Sequence, residues 1–121
     1  MTISEALVYG RHQLHQSDSP ALDARLLLEY VLQASHSYLV AHGDELLPAD
    51  QERQYERLLA RAARREPVPY LTGRAPFFGR EFLVNAAVLI PRPETELLVE
   101  SAAAWAGHRT PLRVVDVGTG S

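Results

Sequence analysis

Two prolines in one short segment, Glu66-Pro67-Val68-Pro69, divide this chain into parts with different residue patterns. Proline has no backbone amide to donate, and it disfavours helix in the residue before it. Before the segment, apolar residues recur at helical spacing. After it, aromatic and β-branched residues gather around a glycine. We therefore predict a helical domain over residues 1–73, a β-hairpin linker over residues 74–93, and the start of a different domain over residues 94–121.

The residues before the break predict four or five short helices that pack into one bundle. Thr2 and Glu5 have the spacing of a capping box, in which two side chains bind backbone amides at a helix start. Pro20 suits the first position of a second helix. A third, short helix around residues 38–42 is expected to end at Gly43, because glycine is the usual left-handed residue after a helix. The bundle would have a small core and could fold by itself.

The longest helix of the bundle is predicted to end near Arg65. Its apolar residues lie on one stripe: Tyr55, Leu58, Leu59, Ala62 and Ala63. Its arginines recur on one face: Arg53, Arg57, Arg61 and Arg64. Such a row suits an electrostatic patch for an acidic partner or for RNA. It also suits a solvated face neutralised by Glu52, Glu56 and Glu66, and we favour this second interpretation.

The residues after the break predict a hairpin or an extended connector. Residues 76–84 place aromatic and β-branched side chains around Gly79, and residues 88–90 form a second apolar run. Three aromatic side chains suit hairpin packing better than a pocket lining: Phe77, Phe78 and Phe82. The connector meets the next predicted helix at a turn that contains Arg92, Glu94 and Thr95. This turn could form part of a pocket wall or simply a capped helix start, and the sequence favours neither. A further helix is predicted over residues 94–105, with acidic residues at its positive end.

The last ten residues predict a buried strand followed by a glycine loop. Residues 112–117 are almost continuously apolar, as in a parallel strand covered on both faces. Glycine loops that follow such strands bind cofactors in doubly wound folds. The full dinucleotide pattern needs a third glycine and a following helix, and neither is in this sequence. Gly118 and Gly120 therefore suit a purely structural turn as well as a cofactor loop.

Asp116, at the end of the predicted strand, favours one class of cofactor over another. A carboxylate suits the ammonium and sulfonium groups of S-adenosylmethionine, whereas it is unfavourable beside the anionic pyrophosphate of a dinucleotide. The alternative is that Asp116 only holds its own turn. The candidate cofactor-binding residues, for S-adenosylmethionine, are Asp116, Gly118, Thr119, Gly120 and Ser121.

Composition and charge disfavour several classes of function. The net charge of −3 argues against a nucleic-acid-binding protein. The chain has no cysteine, which excludes disulfides and suits a reducing cytoplasm. We see no secretory signal, and no apolar run approaches the ~18–20 residues that a membrane span needs. We expect a cytoplasmic protein without membrane contact, without a metal site at its five histidines, and without a hydrolase constellation.

Several stretches of the sequence together resemble one enzyme family: residues 23–28, 66–73, 77–82, 88–96 and 116–121. They are similar to the release-factor glutamine methyltransferases, the protein-(glutamine-N5) methyltransferases of the HemK/PrmC type. The resemblance covers the whole chain and is most specific from Pro67 to Glu96. It implies an N-terminal helical domain that binds the substrate, a β-hairpin linker, and a Rossmann-like methyltransferase domain that begins in this chain.

The resemblance also implies a reaction. The family transfers a methyl group from S-adenosylmethionine to the glutamine side-chain amide in the Gly-Gly-Gln motif of class I peptide-chain release factors. An amide nitrogen is a poor nucleophile, so the site must position it, and such positioning is worth ~7–11 kcal/mol of barrier. The family's catalytic Asn-Pro-Pro-Tyr tetrapeptide and its acidic ribose-binding residue are absent from this sequence. We therefore expect no catalytic residue here, no methyl transfer, and little affinity for S-adenosylmethionine.

Two other functions stay open at this point. The chain could be a non-catalytic helical module that binds a protein, although an unpaired strand near Ser121 disfavours that interpretation. It could also be part of a related methyltransferase that acts on nucleic acid or on another protein. A methylation assay on release factor and on RNA separates these substrates.

Overall fold

A computed structural model describes residues 1–120 and is mainly helical, which confirms the predicted fold class. The described residues form six helices and one two-stranded antiparallel sheet. The elements in chain order are α1 (Ile3–Gln13), α2 (Pro20–Leu32), α3 (His36–Ala41), α4 (Ala49–Ala63), α5 (Val68–Thr72), β1 (Arg74–Phe77), β2 (Arg80–Leu83) and α6 (Pro93–Ala106). They belong to two compact units, Met1–Thr72, called here the helical domain, and Gly73–Ser121, called here the second unit. The three-part division at residues 73 and 93 stays a prediction.

The helical domain begins with the predicted capping box. The Thr2 hydroxyl accepts a hydrogen bond from the Glu5 amide at 3.2 Å, and the Glu5 carboxylate accepts one from the Thr2 amide at 2.8 Å. The α2 helix begins at Pro20 as predicted, although its N-cap residue Ser19 makes no side-chain capping bond. It ends at a left-handed residue, Gln33, with φ 50°.

The predicted role of Gly43 as a left-handed helix stop is wrong. The α3 helix ends at Ala41, its C-cap is His42, and Gly43 is not among the residues with positive φ. A Cβ at Gly43 would instead overlap the hydroxyl of Ser4. The Gly43 carbonyl accepts a hydrogen bond from the Ser4 amide at 2.9 Å. A side chain at this position would therefore force the Ser4 hydroxyl into another rotamer, and glycine avoids this where the two segments approach closely.

The proline segment ends α4 and also starts α5, which the sequence did not predict. The α4 helix ends at Ala63, and Arg65 takes a left-handed conformation with φ 70°. The α5 helix then begins directly after Pro67, and Pro69 occupies its second position. Proline is tolerated in the first turn of a helix because amides there have no partner within the helix.

The core of the helical domain is built around one buried tyrosine of α4. The Tyr55 hydroxyl lies 3.3 Å from the Ala6 carbonyl oxygen and 3.2 Å from that of Ala24, so it can donate to α1 or α2. Gly10 makes room for it, because a Cβ at Gly10 would overlap the Tyr55 hydroxyl. The buried residues of this core are Ile3, Ala6, Leu14, Ala24, Leu27, Leu28, Val31, Leu39, Leu47, Tyr55, Leu58, Leu59, Val68 and Leu71.

The second unit begins with the predicted hairpin, which is shorter than the apolar pattern indicated. The β1 and β2 strands pair antiparallel from Arg74 opposite Leu83 to Phe77 opposite Arg80. The connecting residues Phe78 and Gly79 have φ 49° and 70°. Residues 88–90, the second apolar run, form no strand. The Val88 amide instead donates to the Asn85 carbonyl at 3.1 Å and closes a turn.

The predicted strand at residues 112–117 is not a strand in this structure. Residues 112–116 have no regular secondary structure, and a turn follows at residues 117 and 118. Val114, Val115 and Val117 are 85%, 83% and 90% exposed. A parallel strand needs neighbours that satisfy its amides and carbonyls, and the described residues offer no strand beside this run. The prediction that the segment opens a parallel sheet is therefore not fulfilled within residues 1–120.

Candidate functional site

The glycine loop has the backbone conformation that its sequence predicts. Gly118 and Gly120 have φ 73° and 75°, in the left-handed region that favours glycine. The Thr119 hydroxyl donates a hydrogen bond to the Gly120 carbonyl at 3.1 Å. Asp116, Gly118, Thr119 and Gly120 are all exposed. Ser121, the fifth candidate, lies outside the described residues.

These residues do not form an enclosed cofactor site by themselves. Within residues 1–120, a Cβ placed on Gly118 or Gly120 would meet no atom within 4 Å, and the four described candidates are all exposed. A bound small molecule is usually buried over most of its surface. The loop could contribute backbone amides and one carboxylate to S-adenosylmethionine, but it does not provide the cavity. We derive no catalytic step through this cofactor from the described residues.

The turn before α6 is the start of a helix tied to the hairpin. Arg92 is the N-cap of α6 and makes no side-chain capping bond, and the Thr95 amide donates to the Arg92 carbonyl at 3.1 Å. Glu96, in the first turn, accepts a hydrogen bond from the Phe78 amide at 2.7 Å. This contact joins residues 18 positions apart, so no local spacing rule predicts it. The geometry supports the helix-start interpretation of this turn.

The phenylalanines of the hairpin pack against each other, in agreement with the interpretation that we favoured from the sequence. The rings of Phe77 and Phe82 meet edge to face, with centroids 6.2 Å apart and an angle of 71° between their planes. Such aromatic pairs stabilise a hairpin beyond the area that they bury. Phe78 in the turn is about half exposed.

The arginines of α4 lie on the exposed surface of the helical domain. Arg61 donates to both carboxylate oxygens of Glu66, at 2.8 Å from Nε and 2.5 Å from Nη2. This contact raises the pKa of Arg61 and lowers the pKa of Glu66. Within residues 1–120, Arg53, Arg57 and Arg64 form no ion pair. The sequence located this row but did not show which of its members are neutralised.

A cleft of about 520 Å³ opens in the helical domain, and no residue pattern predicted it. It lies between the α1–α2 connection and the α4–α5 connection. Ser17 and Asp23 form a hydrogen bond on one side, and the other side contains Arg65, Glu66 and the two prolines of the break. Its lining mixes acidic, basic and apolar side chains, so it favours no single class of small ligand.

Over the described part of the chain, no group of three or more His, Cys, Asp and Glu side chains is arranged to hold a metal ion. Within residues 1–120, no helix combines the length and the apolar character that crossing a membrane requires.

Comparison with known proteins gives one consistent family. Residues 5–73 match the model of the PrmC N-terminal domain. Three curated relatives are all named release factor glutamine methyltransferase. The Koribacter versatilis protein is 42% identical over 100% of this chain and 44% of its own length. The Burkholderia pseudomallei protein is 50% identical over 89% of this chain and 38% of its own length. The Escherichia coli protein is 41% identical over 90% of this chain and 39% of its own length.

The matches cover nearly all of this chain but only part of each relative. The chain spans about two fifths of the length of the curated relatives that it matches. The family model covers more than half of the chain, and the matched residues 5–73 contain every buried residue of the helical core except Ile3. The chain therefore belongs to the PrmC family and contains the N-terminal domain of a release factor glutamine methyltransferase homologue.

Proposed function

We propose that the chain is the substrate-binding front part of an enzyme that methylates class I peptide-chain release factors. The methyl group would come from S-adenosylmethionine and would go to the side-chain amide nitrogen of the Gly-Gly-Gln glutamine. The observation that supports this proposal is a match at 42% identity along all of the chain to a relative with that name. A cytoplasmic location follows from the same proposal, because translation termination takes place there.

We assign two roles within the chain. The helical domain would hold the release factor, since it is a compact unit with a core of its own. The loop residues Asp116, Gly118, Thr119, Gly120 and Ser121 would contribute to the cofactor site. S-adenosylmethionine would supply an electrophilic methyl group on a sulfonium. The chain's own part is to present a carboxylate and a glycine turn, whose positive φ values fit such a loop.

The proposal separates binding from catalysis. The sequence lacks the tetrapeptide that accepts the amide hydrogens in the family, and the described loop has no enclosing wall. We therefore expect the 121-residue chain to bind a release factor without transferring a methyl group and without binding S-adenosylmethionine tightly. A nucleic-acid substrate is disfavoured by the net charge of −3.

The experiment is calorimetric titration of the chain with a class I release factor, with S-adenosylmethionine and with single-stranded RNA. An unrelated acidic protein serves as the control partner. We expect saturable binding of the release factor only. Failure of the release factor to bind would contradict the assigned partner. Tight binding of S-adenosylmethionine, or methyl transfer in a parallel assay with labelled cofactor, would contradict the separation of the two roles.

A further inference from the structure

We infer that the arginine row of α4, formed by Arg53, Arg57, Arg61 and Arg64, is the surface with which the helical domain contacts an acidic face of its protein partner. The inference deepens the proposed function and rests on it, because the partner is the release factor. The proposed function assigns a partner to the domain as a whole. The inference assigns the contact to one face of one helix and states the charge of the surface that it meets.

Three of the four arginines share one side of α4, away from the core, and Arg64 is the C-cap residue directly after the helix. An α-helix turns by about 100° per residue, which places the side chains of Arg53, Arg57 and Arg61 within an arc of about 80°. The buried residues of α4, Tyr55, Leu58 and Leu59, lie on the opposite side by the same count. The row extends over about 16 Å along the helix axis at a rise of about 1.5 Å per residue. It is therefore a straight, exposed strip of positive charge.

Only one glutamate neutralises a member of the row. Glu66 binds Arg61, whereas Glu52 binds the amino group of Met1 at 2.8 Å. Asp50 and Glu56, the other carboxylates of α4, form no ion pair within residues 1–120. The row is therefore a solvated face as expected, but over the described part of the chain the expected neutralisation by glutamates is found at Arg61 alone.

The charge of the helical domain is strongly divided along the sequence. Residues 1–52 contain two arginines and eight acidic residues, whereas residues 53–65 contain five arginines and one glutamate. A segment with a net charge of +4 thus follows one with a net charge of −6. The positive charge is thus concentrated on one short segment, and a local concentration of this kind steers an acidic partner toward it.

The residue types favour a protein partner over RNA. All basic side chains other than histidine are arginine, and the planar guanidinium binds carboxylates through two parallel hydrogen bonds, as Arg61 does with Glu66. Proteins that bind single-stranded RNA usually add exposed aromatic rings on which bases stack. The single aromatic residue of α4 is Tyr55, which is fully buried. Residues 1–72 also have a net charge of −3, from seven arginines and ten acidic residues.

The test measures release-factor affinity for the whole chain and for three variants. The first variant is Arg53→Glu with Arg57→Glu, and the second is Arg53→Gln with Arg57→Gln. The control is Arg11→Glu with Arg80→Glu, which changes the net charge by the same amount at two exposed arginines that belong to α1 and β2 and not to the row. Circular dichroism establishes that each variant is folded. Glutamate at position 53 lies near the positive end of α4, so the helix tolerates it.

We expect the charge-reversed pair to weaken the affinity at least about tenfold, the neutral pair to weaken it less, and the control to change it by less than about twofold. The affinity of the unaltered chain should also fall as salt is added. Equal affinities for all forms would overturn the inference and leave the proposed function standing. Absence of binding by the unaltered chain would overturn both. Single-stranded RNA that binds the unaltered chain but not the charge-reversed pair, with release-factor affinity unchanged, would reassign the row to nucleic acid.

Discussion

The helical domain buries many of its large apolar side chains, whereas the second unit leaves most of its own exposed. In the helical domain, large side chains such as Leu27, Leu28 and Leu39 are almost completely buried. In the second unit, α6 has no buried residue, and Leu98 and Val117 are 70% and 90% exposed. The overall apolar content of the sequence does not reveal this difference. Burial depends on whether a complementary face lies within the same compact unit.

The two regions also differ in what joins their elements. In the helical domain, residues far apart in sequence meet through apolar packing and through the Tyr55 hydroxyl, which reaches two helices. In the described part of the second unit, a polar contact from the Phe78 amide to Glu96 joins the hairpin turn to α6. Apolar burial stabilises by roughly 25 cal/mol per Å², whereas an exposed hydrogen bond contributes little. We therefore expect stability to be concentrated in the helical domain.

The strongest test of this comparison is a matched pair of leucine truncations. Leu27→Ala empties a site with no solvent exposure and should lower the free energy of unfolding by about 2–5 kcal/mol. Leu97→Ala removes a side chain that is mostly exposed and should change it by less than about 0.5 kcal/mol. Urea unfolding followed by circular dichroism measures both. Equal effects would show that α6 is covered in solution.

A pair of glycine substitutions gives the next largest effect. The Cβ of Gly10→Ala would overlap the Tyr55 hydroxyl and lie 2.9 Å from Ala24 Cβ, so we expect a loss of about 1–3 kcal/mol. Gly118→Ala meets no atom within 4 Å, and its strain at φ 73° stays local. The thermal midpoint of the helical domain should fall for Gly10→Ala only. A similar fall for Gly118→Ala would contradict the independence of the loop.

Removal of the Tyr55 hydroxyl should cost about 1 kcal/mol at neutral pH, because Tyr55→Phe loses a buried hydrogen bond. Burial raises the pKa of Tyr55 above that of an unfolded tyrosine. The neutral form is thus favoured in the folded state, and this stabilisation is present below about pH 10 and lost as the pH rises further. The difference in unfolding free energy between the unaltered chain and Tyr55→Phe should therefore be smaller at alkaline pH than at neutral pH. A constant difference would contradict the buried hydroxyl.

The smallest expected effect concerns the polar contact of the second unit. Glu96→Ala removes the acceptor of the Phe78 amide and should destabilise the turn by roughly 0.5 kcal/mol, the low end for a hydrogen bond, because this one is exposed. Hydrogen exchange at the Phe78 amide should accelerate, with no change in the unfolding of the helical domain. Glu94→Ala, two residues earlier on the same helix, is the control. Equal protection of the amide in both variants would show that the contact does not hold the turn.

The glycine loop shows how far sequence reasoning reached toward the candidate site. Positive φ at Gly118 and Gly120 follows from residue type, and the structure has it. Enclosure of a cofactor depends on residues distant in sequence, so the pattern could not decide it. The contact of Glu96 with Phe78 and the cleft beside Ser17 were missed for the same reason, because both join segments that no local spacing relates.

Local chemistry in the sequence determined the helix starts at Thr2 and Pro20, the break at the proline pair and membership of the PrmC family, because caps, prolines and motifs act over a few residues. Only the tertiary structure decided that Gly10 makes room for Tyr55, that Glu52 pairs with the Met1 amino group instead of an arginine of the row, and that residues 112–117 form no strand. Each of these depends on which distant groups come close enough to pack or to hydrogen-bond, and residue spacing alone does not specify that.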